Sequence, residues 1–274
     1  MPWISETFKN DYLGSSDSRN AILRYNYENL LIMKLGFAFN YNDGTHSLKV
    51  NVETAGNLLK GLSNMMNFKK NEMGQSEFLR VAFAQYFKTD IDYTYNYKID
   101  ERNTLALHSR IGVAIPYGNS NMLPFEKRYF SGGANSVRGW SVRELGPGNY
   151  KGTDGRIDFI NQTGDVRLDL NAELRSHLFW KFQGALFIDA GNIWTVRAYK
   201  DQPGGLLTLS SLYKEIAVSY GAGLRLNFDY FILRLDLGMK AINPVYTTSR
   251  EHFPITNHKF SRDYALHFAV GLPF

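Results

Sequence analysis

Cysteine is absent from all 274 residues, which excludes a disulfide framework and a thiolate-held metal. Also missing is any run approaching the roughly eighteen apolar residues of a membrane-crossing helix. The opening residues 1–10 lack the basic-then-apolar layout of a secretory signal. Charge of one sign is nowhere concentrated. Lys+Arg 31 stand interspersed against Asp+Glu 26, without the basic block that would grip nucleic acid, so no nucleic-acid partner is expected. Helix-forming runs are scarce. The six histidines (46, 108, 177, 252, 258, 267) are scattered, and neither Gly-x-Ser-x-Gly nor His-Glu-x-x-His occurs. No enzyme, metal or cofactor site is therefore expected, although an outer-membrane lipase stands as a third functional class after the two given below.

What the chain has instead is strand character. Tyr and Phe number 17 and 19, residues suited to a pleated surface. Long segments alternate strictly. In 166–178 Val166, Leu168, Leu170, Ala172 and Leu174 interleave with Arg167, Asp169, Asn171, Glu173 and Arg175. In 216–228 Val218, Tyr220, Leu224 and Leu226 oppose Ser219, Gly221, Gly223 and Arg225. In 231–241 Leu233, Leu235, Leu237 and Met239 oppose Arg234, Asp236 and Lys240. Ile91, Tyr93, Tyr95 and Tyr97 oppose Asp90, Asp92 and Asn96, and Tyr264 through Phe274 are apolar at every second position. Side chains alternate faces along a strand, so each segment has one greasy and one polar face.

A soluble sheet would bury the greasy face; a transmembrane barrel turns it to lipid and lines its lumen with the charged one. The segments run about 10–14 residues, against a globular mode of about five or six, and their polar faces carry charge at nearly every position. An all-β, transmembrane antiparallel barrel is the reading, and a mean hydropathy of −0.31 is compatible with it. Strands are expected near 19–29, 31–42, 45–56, 85–100, 103–115, 166–178, 181–194, 214–228, 230–241 and 262–274, the first two sharing one parity and able to form one long strand. A hairpin turn is expected at Asn42-Asp-Gly-Thr45. Residues 1–18 form an unassigned polar lead, and 19–274 the barrel domain. Two connections are long, 57–84 with a short helix over 58–65, and 116–165, a length that marks function more often than filler. Nine or ten strands with no signal segment suggest the C-terminal part of a longer protein.

At the heart of 116–165 stands Phe130-Ser-Gly-Gly-Ala-Asn-Ser-Val-Arg-Gly-Trp140. With Asn171-Ala-Glu-Leu-Arg175, Phe187-Ile-Asp-Ala-Gly-Asn-Ile-Trp194 and the terminal His267-Phe-Ala-Val-Gly-Leu-Pro-Phe274, in that order, it resembles the outer-membrane assembly barrels of the BamA/TamA type, closest to Bacteroidota-like members. The resemblance spans roughly 45–274. It implies the C-terminal portion of an about sixteen-stranded barrel whose parent carries periplasmic POTRA domains. It implies too a bacterial outer-membrane location and a loop whose Val137-Arg138-Gly139-Trp140 tip folds into the lumen. A guanidinium there needs planar acceptors. Glu173 and Asp189, on the inward parity of neighbouring strands, are the expected partners, as in the family. Gly132 and Gly133 are expected to bring the loop backbone close to the barrel wall, with an anion-binding nest as the alternative. Phe130 and Trp140 are expected as packing anchors. Phe268, Gly271, Pro273 and Phe274 form the closing-strand signal. Gly271 and Pro273 there mean either a weak, openable seam or plain strand termination.

The function implied is an insertase that helps outer-membrane proteins fold and enter the bilayer. Its expected partners are the lipid bilayer, unfolded outer-membrane proteins, and periplasmic or lipoprotein assembly factors. The alternative is a two-partner-type secretion pore, which shares the arginine loop.

Overall fold

Period-two alternation becomes one nine-stranded antiparallel sheet in the computed structural model, which describes residues 29–71, 74–152, 158, 160–228, 230–246 and 249–274. The polar lead 1–18 and the expected strand at 19–29, save its last residue, lie outside the described residues. In chain order the elements are β1 (Leu30–Leu31), β2 (Lys34–Asn42), β3 (His46–Ala55), helix α1 (Asn57–Met66), β4 (Glu77–Phe78), β5 (Val81–Phe83), β6 (Tyr86–Lys98), β7 (Asn103–Pro116), β8 (Val166–Phe179), β9 (Phe182–Trp194), β10 (Ala217–Asn227), β11 (Ile232–Ile242) and β12 (Tyr264–Val270). The main sheet is a meander, β12-β11-β10-β9-β8-β7-β6-β3-β2. A separate small sheet has the order β1-β5-β4.

Burial along the strands is inside out. Glu173 and Asp189 are 0% exposed, while Leu186 and Phe268 stand at 61% and 72%. Large apolar side chains in water at this density would be an aggregation surface. Facing acyl chains, they are the contact that holds a barrel in place. The sheet curls about its polar face: Phe274, beyond β12, reaches His108 on β7, five strands away.

The connections sort by length. The strand ends joined by short turns (42 to 46, 98 to 103, 179 to 182, 227 to 232) gather at one end, and those joined by long segments (55 to 86, 116 to 166, 194 to 217, 242 to 264) at the other. Outer-membrane barrels place short turns in the periplasm and long loops outside, which orients the molecule. The expected hairpin turn is present. Gly44 takes φ +85°, and Asp43 Oδ1 accepts from the amides of Thr45 and His46 at 2.9 and 2.6 Å.

Two expectations need correction. Residues 31–42 are not one strand. Leu30–Leu31 pairs with β5 in parallel, and β2 begins afresh at Lys34. The closing strand does not run to Phe274 with its aromatic facing lipid. β12 ends at Val270, where Gly271 takes φ +88° and donates its amide to Ile232 O at 2.8 Å. Pro273 then has no amide with which to resume a ladder. The tail turns inward and Phe274 stacks on His108, centroids 4.8 Å apart and planes within 6°.

Candidate functional site

Within the long connection, residues 136–139 lie against the polar face of the sheet, and Arg138 is fully buried there. Its guanidinium takes Asp189 bidentately, Nε to Oδ2 and Nη2 to Oδ1, both at 2.8 Å, and Nη1 donates to Glu173 Oε2 at 2.5 Å. The Arg138 amide adds a third bond to Asp189, 3.1 Å. This fork-on-carboxylate geometry uses the donor layout that lysine lacks. Burial alone would disfavour the charge, but Asp189 and Glu173 together hold the guanidinium firmly protonated. Both partners read from inward parity are thus in place, on β9 and β8.

Four contacts went unforeseen. The Arg138 guanidinium lies 3.5 Å from the Phe187 ring centroid, a desolvated cation–π contact. Asp236 Oδ2 on β11 stands 3.6 Å from Nη1. His267 on β12 donates Nε2–H to the Arg138 carbonyl at 2.9 Å. Asn171 ties Asp189 to the loop, giving Nδ2–H to Asp189 Oδ1 and to Ser136 O at 2.8 and 2.9 Å. Asp236 and His267 carried one visible signal, the same inward parity as Glu173.

Around this centre charge is dense. Glu173 also meets Arg175 at 2.9 Å and Arg225 at 3.1 Å, and Asp236 meets Arg225 at 2.6 Å. Arg225 and Arg234 are direct cross-strand partners, an arrangement that repels unless a counter-charge intervenes. Asp236, next inward residue along β11, is that counter-charge, 3.5 Å from Arg234.

Glycine makes the seat. A Cβ on Gly238 would fall 2.0 Å from the Arg138 carbonyl oxygen, so the loop tip rests directly on backbone there. Gly132 and Gly133, φ +92° and +93°, do close tightly, though on the loop's own return limb rather than the barrel wall. Added Cβ atoms would meet Ser141 O at 2.3 Å and Val142 at 2.8 Å, and Gly133 N donates to Trp140 O at 2.8 Å. Trp140 is a buried anchor, clustered with Val137, Leu145 and Ala217. Phe130 is not, being partly exposed under the Arg143 guanidinium at 4.7 Å. The tail signal also enters the lumen: Arg175 lies 5.1 Å from the Phe274 ring. Gly139 sits close against Ser219 of β10.

A curled antiparallel sheet with an apolar outer face, a charged inner face and short turns at one end defines a class: the outer-membrane β-barrels. Residues 47–274 match the model of the Omp85 superfamily domain, and the chain belongs to that family, an outer-membrane one. Over 148 residues it is 29% identical to "Outer membrane protein assembly factor BamA" of Neisseria meningitidis serogroup B, covering 51% of this chain and 17% of that protein. Among solved structures it is similar to CdiB from Acinetobacter baumannii (16% identity, TM-score 0.47, 86% of this chain and 32% of that one). It is similar also to BamA from Haemophilus ducreyi lacking POTRA domains 1–3 (15% identity, TM-score 0.49, 86% and 52%). The chain thus spans well under two thirds of each relative's length.

Proposed function

We propose that this barrel is the membrane part of a protein that inserts other β-barrels into the outer membrane. The observation that carries the reading is the buried Arg138 latch, which fixes a long loop in the lumen by bonds to β8, β9 and β12 at once. A substrate strand entering lipid needs its backbone groups met by a partner strand, and an edge strand supplies such a row of donors and acceptors. β12 is the last strand of the described sheet, and His267 ties it to the loop tip. The role is a template without a catalytic step. Unfolded outer-membrane proteins are the substrates, and periplasmic or lipoprotein factors deliver them.

A polypeptide-secreting pore is the competing reading. It shares the arginine loop, so the two readings separate on what the barrel moves, a polypeptide into the bilayer or one across it. The test places full-length protein in proteoliposomes and follows insertion of a urea-unfolded outer-membrane β-barrel by its heat-modifiable gel migration. Arg138→Ala at equal protein level is expected to slow insertion about tenfold or more, consistent with loss of a buried pair. Insertion at the parental rate, or translocation of a soluble polypeptide in its place, would overturn the proposal.

A further inference from the structure

We infer that the outer face carries a binding site for a neutral saccharide. A cavity of about 600 Å³ opens among the long loops, lined by Tyr213, Lys214, Glu215, Tyr246, His252 and Phe253. That volume lies in the range of small-molecule sites. It sits beyond the extracellular ends of β9, β10 and β11, away from the latch.

Glu215 is a built feature of it. The residue is buried, its backbone carbonyl accepts from Asn192 Nδ2 at 2.6 Å, and its Oε2 accepts from Trp194 Nε1 at 2.8 Å. Trp194 occupies Oε2, which leaves Oε1 to accept from a ligand. His252 is fixed as well. Its Nδ1–H donates to the carbonyls of Asn243 and Tyr246, 3.0 and 3.2 Å away, so in the neutral imidazole Nε2 is a second acceptor. Two acceptors among three aromatic rings suit a pyranose, which offers hydroxyl donors at its edge and C–H groups at its face.

The other ligand of an aromatic box is an ammonium ion, which the Glu215 carboxylate would favour. Lys214 Nζ stands 5.5 Å from the Tyr213 ring and the Arg262 guanidinium 5.2 Å from that of Tyr246, so cations already attend two of the rings. A second cavity, about 320 Å³, shares Tyr246 and reaches Trp140, giving room for a further sugar unit. The saccharide could belong to an outer-leaflet glycolipid or be free in the surroundings; the chemistry is common to both.

The test uses the full-length protein in lauryldimethylamine oxide, a detergent without a sugar headgroup. Dephosphorylated, carboxyl-reduced core oligosaccharide from rough lipopolysaccharide, isomaltotriose and tetramethylammonium are titrated separately, with tryptophan fluorescence and heat as readouts. Saturable binding of a sugar is expected, with Kd on the order of 1 mM. Tyr213→Ala and Glu215→Gln should each weaken it about tenfold. Tyr213 is exposed and glutamine keeps the acceptor for Trp194, so both variants should retain heat-modifiable migration. Binding of the core oligosaccharide alone assigns the glycolipid source, and binding of isomaltotriose a free one. No saturable sugar binding, tetramethylammonium binding in its place, or sugar affinity unmoved by Tyr213→Ala would each overturn the inference.

Discussion

Arg138 concentrates the argument at the scale of single residues. Its burial is tolerable because two carboxylates and a ring face replace its water, and each partner is equally committed. Arg138→Ala should therefore cost about 3–5 kcal/mol by stranding buried carboxylates, and Arg138→Lys should rescue little, since an ammonium cannot span Asp189 bidentately. Limited proteolysis within 117–165 reads loop release in both. The seat admits a sharper contrast. Gly238→Ala puts a methyl 2.0 Å from a carbonyl oxygen, whereas Gly184→Ala meets only Leu178 at an ordinary 3.6 Å. The first should lower the temperature of gel-shift conversion, by about 1–3 kcal/mol of stability, and the second should leave it unchanged. The Arg138 partners on β8 and β9 were legible from parity and the family resemblance. Asp236, Phe187 and His267 were not singled out, because parity assigns a face and says nothing of which distant strands the curl brings to one point. Gly132 and Gly133 were read correctly as sites of close approach and wrongly as to the surface approached.

Strands were the most legible elements. Nine expected segments appear in the sheet, their ends shifted by a few residues, because alternation over 10 or more positions leaves the chain few other regular arrangements. The helix expected over 58–65 forms as α1, Asn57–Met66. Illegible was the tail after Val270. Gly271 permits a left-handed turn but does not compel one, and only the packing of Phe274 against His108 and Arg175 decides its direction. The outward face gives an element-scale prediction. Ile188, near the middle of β9 and 58% exposed, would tolerate arginine in a soluble sheet. In a bilayer Ile188→Arg should destabilise by about 2–4 kcal/mol, as at a barrel midplane. Denaturant unfolding in lipid vesicles measures it; a change within about 0.5 kcal/mol would contradict the lipid-facing assignment.

For the whole molecule the orientation is directly testable, since the chain has no cysteine of its own. Leu209, in the long 195–216 connection, and Tyr230, in the short 228–231 turn, are 87% and 96% exposed. On intact cells a membrane-impermeant maleimide should label Leu209→Cys and spare Tyr230→Cys; after envelope disruption both should react. The opposite pattern would invert the barrel. Because Phe274 stacks on His108 inside the lumen, any residue joined after it starts its path within the barrel rather than beneath it. A peptide appended there would first have to be threaded past the latch or drag the tail out with it. A label at that position is thus a perturbation of the interior.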